Sequence, residues 1–436
     1  MKGSQMTANI TCATLFAALA LMPVAPYAQM ASPTHYPAVL PPEETVRDAL
    51  AQLPELQAAR ANINFSASEQ QRLQSGPYEW SVRGETAQRR TRMDGNFHDY
   101  EISVDRPVRW FGKARKDHEL GQQTRTLAEA AYADSWHEAS RALIAAWFEL
   151  LREERVAARV SEQVLLSERL LDVMQKRVRA GDTPKMELLL AQTEHERLIA
   201  VQQQATQRAE LARIALEQKY PGLPLPSPSP ATASAPPPLP DIPGNLEQTD
   251  WVARIVAENH ELEQAQAQTR QKQLLVERSA LERTPDPTVA LRYTSERGGE
   301  DRIVGVAVSI PLPGEARRAS HAGALAQLDQ AHQEEARVRN KAEREARQLL
   351  TQALAAKKIA ATQARIRDQA QSNAALVTKA YTLGESAFAD TLLAGRQALE
   401  ATQASEAAHL DALETHARLL LDTHRIWSLE QEKAND

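Results

Sequence analysis

Apolar residues recur along this chain with two different periods, and each period predicts its own kind of element. Between residues 114 and 180, Leu143, Leu150, Ala157, Val164, Leu171 and Val178 stand seven apart, the spacing of a coiled-coil seam. Between 316 and 383, Ala346, Ala353, Ala360 and Ala374 repeat the spacing, interrupted by Arg367. Small side chains on a seam let helix backbones approach closely. Neither stretch contains a proline, so each reads as one helix of roughly 100 Å at 1.5 Å per residue. No compact globule accommodates such a length. Gly181 and Gly384 are predicted to end the long helices, because glycine takes the left-handed cap without a Cβ penalty. Returning helices over 183–220 and 386–432 then start with Thr183 or Ser386 as hydroxyl caps and Pro184 at the first helical position. Shorter helices are predicted over 43–74 and 247–283.

Four segments alternate with period two instead, so that one face is apolar and the other polar. Tyr78, Trp80 and Val82 oppose Glu79, Ser81 and Arg83; Tyr100, Ile102 and Val104 oppose Glu101, Ser103 and Asp105. In the second half Val289, Leu291 and Tyr293 oppose Thr288, Ala290 and Arg292, and Val304, Val306, Val308 and Ile310 oppose Gly305, Ala307 and Ser309. Strands are therefore predicted over 77–86, 100–109, 287–295 and 302–311. Four short strands of this kind match the outer-membrane pattern. On that reading Tyr78, Trp80, Val82, Ile102, Val104, Leu291, Tyr293, Val306 and Val308 face lipid. Glu79, Ser81, Arg83, Glu101, Ser103, Asp105 and Arg292 then face a lumen. Soluble hairpins packed on a core are the competing reading, although sheets so small do not stand alone. A sheet in lipid must also leave no edge. Two chains would give eight strands and a filled interior, whereas three would give twelve and room for water, which predicts a trimer.

The chain repeats itself once. Pro107 aligns with Pro311, Gly112 with Gly314 and Gly181 with Gly384, at offsets of 204, 202 and 203. Such nearly constant offsets mark an internal duplication. Residues 29–220 form the first repeat and 244–436 the second. Between them, 221–243 holds 10 of the 24 prolines, an extended connector. At the start, Lys2 and the apolar run from Ile10 to Val24 read as a secretory signal over 1–28. No later run is long and apolar enough for a spanning helix, so any passage through a membrane must use strands.

Composition narrows the function classes. The 436 residues carry a net charge of −6, without the basic stripe that nucleic acid demands. The single cysteine, Cys12, excludes a disulfide framework and a thiolate metal cluster. His195-Glu196 resembles the start of a zinc-protease motif, but Ile199 stands where the second histidine is required. The other histidines are scattered without ligand spacing. No enzyme chemistry, cofactor or metal is predicted.

The duplicated strand, strand, long helix, glycine turn, helix unit, with its paired turns Arg179-Ala180-Gly181-Asp182-Thr183 and Thr382-Leu383-Gly384-Glu385-Ser386, resembles the TolC family of outer-membrane efflux channels. The segments Arg106-Pro107 to Arg115 and Gly305 to Gly314 are similar to its cation-efflux, CzcC-like branch. The resemblance implies a mainly α fold with a small β part: a homotrimer with a long antiparallel coiled-coil helical barrel and a 12-stranded outer-membrane barrel. It implies a passive exit duct across periplasm and outer membrane, working with a periplasmic membrane-fusion adaptor and an inner-membrane resistance-nodulation-division transporter. Heavy-metal cations are the implied cargo, with drugs or other small organic molecules as the alternative. Arg179, Gly181, Asp182, Thr183, Leu383, Gly384, Glu385 and Ser386 would be adaptor-docking tips. Asp182, Glu187, Glu385 and Asp390 could ring an entrance that favours cations, although acids in a first helical turn also answer the helix dipole. A structural coiled-coil rod without channel activity, or a periplasmic adaptor, are readings of another class.

Overall fold

The computed structural model describes residues 37–93, 95–226, 239 and 248–429, with backbone alone at 248 and 249. The predicted signal segment 1–28 and most of the connector 221–243 lie outside the described residues. Of the described residues 74% are helical, with one small antiparallel sheet, as the two periods of the sequence imply.

Two helices dominate. Helix α3, Lys113–Ala180, and helix α7, Glu315–Thr382, are each 68 residues long. Each is flanked along its length by two shorter helices. Helix α2, Pro54–Ser75, covers the first part of α3 and α4, Lys185–Lys219, covers the rest. In the second half α6, His260–Glu282, and α8, Phe388–Asp422, do the same for α7. Alternating ion pairs clip the bundle along its length: Arg152 reaches Glu414 at 2.7 Å, Arg159 reaches Glu406 at 2.7 Å and Lys341 reaches Glu261 at 2.7 Å.

Two predicted helices are each broken in two. The stretch 43–74 becomes α1, Glu43–Ala51, and α2, because Pro54 occupies the first turn of a new helix, where its missing N–H costs nothing. The stretch 247–283 becomes α5, Gln248–Ala257, and α6, because the Asn259 side chain accepts the Leu262 amide at 2.8 Å and caps the second piece.

The main core sits at mid-height. Leu50, Leu143, Ile144, Phe148, Leu150, Leu216 and Trp427 are buried where α1, α3, α4 and the chain after α8 converge. Full burial of each such side chain is worth about 1.5–3 kcal/mol. The buried indoles also find acceptors: Trp136 Nε1 donates to the Trp427 carbonyl at 2.9 Å and Trp147 Nε1 to the Val39 carbonyl at 2.8 Å. A second cluster holds Trp251 and Ile255 of α5 on Ala346, Leu349 and Leu350 of α7. No described helix is long and apolar enough to cross a membrane.

The sheet has the order β1, β2, β3, β4, all neighbours antiparallel. Strand β1 spans Ser81–Thr91, β2 Gly95–Pro107, β3 Thr288–Glu296 and β4 Asp301–Ser309. The two repeats thus meet through β2 and β3. Strand β1 starts later than the alternation predicts and runs further, through the polar stretch from Glu85 to Thr91. Backbone pairing down to Thr91 opposite Gly95 carries it where apolar patterning gives no signal.

Candidate functional site: a two-faced sheet and a paired helical tip

The register sorts the strand residues into two faces. Val82, Val104, Leu291 and Val306 form one continuous row across all four strands; Gly84, Ile102, Tyr293 and Val304 form the next, and Val289 pairs with Val308. On the opposite face Ser81 pairs with Asp105, Arg83 with Ser103, and Ser103 with Arg292. That face also brings charges together: Glu101 lies 3.8 Å from Arg292, and Arg89 reaches Asp99 at 2.8 Å and Glu296 at 2.5 Å. Burial does not favour the apolar face. Val306 is 73% exposed, whereas Ser103 and Thr294 on the polar face are each 8% exposed. The outer edges of β1 and β4 pair with no described strand.

Three residues assigned to the first strand by alternation precede it. Tyr78, Glu79 and Trp80 lie before Ser81, because the chain is still tied to the helices there. The Tyr78 hydroxyl donates to Asp286 at 2.8 Å and its ring lies under Arg109, 4.8 Å away. Burial, then the bond to Asp286, push its phenol up to about 12. Tyr78 therefore anchors the junction. Trp80 is exposed beneath the Arg106 guanidinium at 5.2 Å. With Trp110 and Phe111, also exposed, it rims the sheet where the helices begin.

That junction is a buried ionic knot, which the alternation and heptads do not reveal. Lys113, fully buried, lies 2.8 Å from Asp286 and 3.4 Å from Glu282. Arg278 bonds both Asp117 and Glu282, and Arg109 lies 3.3 Å from Asp117. Burial raises the Asp286 carboxyl, but Lys113, the Trp110 amide and Tyr78 together hold it below its ordinary 3.8. Likewise burial raises Glu282 while Arg278 and Lys113 hold it below 4.5. A signal was present in the sequence: Arg109, Lys113 and Asp117 stand four apart, as do Arg278, Glu282 and Asp286. Lys113 and Asp117 share one side of α3, as Arg278 and Glu282 share one side of α6; Arg109 and Asp286 lie just beyond those helix ends, and the two sets face each other here.

At the far end the two long helices terminate in the same motif. The Gly181 amide donates to Val178 and the Asp182 amide to Arg177; the Gly384 amide donates to Tyr381 and the Glu385 amide to Ala380. Both glycines have φ near +80°, the Schellman geometry that satisfies the last helical carbonyls. The turns lie side by side, joined by Met174, Ala191 and Phe388 in a small core and by Tyr381. Its hydroxyl donates to Glu187 at 2.7 Å and accepts from Arg177 at 3.1 Å.

The hydroxyl caps expected at the restarts do not form. Pro184 and Ala387 are the cap residues, one step later than expected, since proline's fixed φ and missing amide suit the entry to the turn as well as its first residue. Thr183 is buried with its hydroxyl unpartnered among the described residues. Asp390 instead accepts the Ala387 amide at 3.3 Å and the Ser386 hydroxyl at 3.2 Å. Glu187 and Asp390 are thus engaged within the tip. Arg179, Asp182, Leu383 and Glu385 are exposed.

His195 of the broken protease motif meets Ser167 at 2.9 Å. Three other histidines, far apart in sequence, come together at mid-height: His137, His260 and His424.

No protein-family model and no curated protein matches this chain. Solved structures do. The outer-membrane channel OprN matches with a TM-score of 0.72 at 16% identity, covering 88% of this chain and 90% of its own. The outer-membrane protein VceC of Vibrio cholerae matches at 0.69 and 15%, covering 87% and 95%. CusC, described through its folding and transmembrane channel formation, matches at 0.71 and 12%, covering 87% and 91%. The chain has the fold of these outer-membrane channels over nearly its whole described length. These neighbours are channel proteins, not enzymes.

Proposed function

We propose that three copies of this chain close their four-stranded sheets into a 12-stranded barrel in the outer membrane, continued by the helices as a duct across the periplasm. The observation that carries this reading is the two-faced sheet, with continuous apolar rows exposed on one face and a charged, polar face opposite them. Lipid satisfies the first and a water-filled lumen the second. The open edges of β1 and β4 support assembly, since unpaired strand edges are not tolerated in hydrocarbon, and Trp80, Trp110 and Phe111 suit an aromatic girdle at the interface. On this reading Glu101, Asp105, Arg83 and Arg292 line the lumen.

The duct is passive and takes its energy from an inner-membrane transporter of the resistance-nodulation-division type, reached through a periplasmic adaptor that docks on the paired tips at Gly181 and Gly384. Heavy-metal cations are the proposed cargo. The likeness of Arg106-Pro107 to Arg115 to the cation-efflux branch supports that choice, as do the exposed acids Asp182 and Glu385 at the tips. The deciding experiment is ionic current through the purified mature protein in planar bilayers. Discrete channels from a detergent-extracted trimer are expected; a soluble monomer that passes no current would refute the proposal.

A further inference from the structure

The structure assigns a metal site to the mid-height joint of the bundle: we propose that His137, His260 and His424 hold one divalent transition-metal ion of the zinc class. The three histidines come from α3, from the first turn of α6 and from the chain just after α8. A ring nitrogen of each lies within 4.8 Å of the other two.

Each ring is prepared differently. His137 Nε2 lies 3.1 Å from Asp422 Oδ1, which also accepts Arg141 Nε at 3.0 Å. His260 Nδ1 lies 3.2 Å from Glu263 Oε2. A carboxylate only accepts, so each of these two imidazoles donates one N–H outward and keeps its other nitrogen as a lone pair. Carboxylates behind ligating histidines fix tautomer and ring orientation in this way. The third ring has no such partner: His424 Nε2 is buried and unbonded among the described residues.

Neutral imidazole suits zinc, copper and nickel rather than magnesium or calcium. Ligation at about 2.0–2.1 Å would draw the nitrogens to about 3.3 Å apart, which requires the stacked rings of His260 and His424, 4.6 Å between centroids, to turn. There is room for this movement and for entry. His260 and His424 line a cavity of about 1170 Å³ together with Glu258, whose Oε2 is also buried and has no hydrogen-bond partner among the described residues. The ion would tie three separate elements at one point and leave a coordination position open toward that cavity.

The proposal is independent of the channel reading, because binding is measured on the detergent-solubilised chain without transport. Zinc is titrated against a competing chromophoric chelator, and cobalt is used as a visible-absorption probe of nitrogen ligation. One zinc per chain is expected. His260→Ala and His424→Ala should each weaken binding by about a hundredfold or more, and Glu263→Gln by about 10–100-fold, the range for outer partners. His118→Ala, at a surface contact with Gln74, should leave binding unchanged. Zinc binding that is absent, or that survives both His260→Ala and His424→Ala in variants with wild-type near-ultraviolet circular dichroism, would overturn the site.

Discussion

Leu291→Arg tests the orientation of the sheet against its neighbour Ala290→Arg, because the two positions are adjacent in β3 and point to opposite faces. Strand β3 has nine residues, about 30 Å at 3.3 Å per residue, and a tilt of about 40° would let it cross about 23 Å, close to the apolar band of an outer-membrane barrel. Leu291 is one residue from the middle of that span and sits in the row with Val104 and Val306. An arginine at the bilayer midplane costs about 2–4 kcal/mol. In a trimer it is introduced three times, for about 6–12 kcal/mol per assembly. Even the smaller single-site figure corresponds to about a thirtyfold change in an equilibrium constant. Ala290, by contrast, is the register partner of Asp105, so an arginine there meets an opposite charge on the polar face. The assay is the yield of heat-modifiable trimer in the outer-membrane fraction, followed by the denaturant midpoint of the protein refolded into lipid. Leu291→Arg should lose most of its trimer and Ala290→Arg should retain it. Equal yields, or the reverse order, would refute the assignment of the faces.

Three further expectations rest on particular contacts. Lys113→Met leaves Asp286 without its buried cation, while Glu282 keeps Arg278, and should destabilise the junction by about 3–5 kcal/mol; the double variant Lys113→Met, Asp286→Asn should recover part of that in a denaturant cycle. Gly384→Trp should abolish export while trimer and membrane insertion persist: a Cβ there meets nothing within 4 Å, so the cost is only the positive φ, about 1–2 kcal/mol, and the indole projects from the tip. Surviving efflux would remove the docking role. Asp286 and Glu282 have folded pKa values below their ordinary 3.8 and 4.5, so on acidification the unfolded chain binds protons first. Their stabilisation is complete above about pH 5 and disappears as pH falls through the lower folded values; the Trp110 fluorescence transition should show it, and Asp286→Asn should flatten it.

The sequence by itself determined the elements and their duplication. A seven-residue seam without proline predicts a long helix, a two-residue alternation predicts a strand with two faces, and both are local consequences of backbone geometry. The turns at Gly181 and Gly384 were legible for the same reason, since a left-handed residue after a helix calls for glycine. Local reasoning failed where competing local signals met tertiary demands: Pro54 split a helix, the cap fell on Ala387 while Ser386 turned its hydroxyl to Asp390, and β1 continued through polar residues because β2 offered it a partner. Tertiary structure alone decided which distant groups became neighbours. The groups Arg109-Lys113-Asp117 and Arg278-Glu282-Asp286 interlock only after the two repeats join through β2 and β3, and His137, His260 and His424 converge only where α3, the start of α6 and the chain after α8 meet. No spacing rule reaches across 287 residues, because contact between such groups is set by the packing of whole helices and not by the periodicity of any one of them.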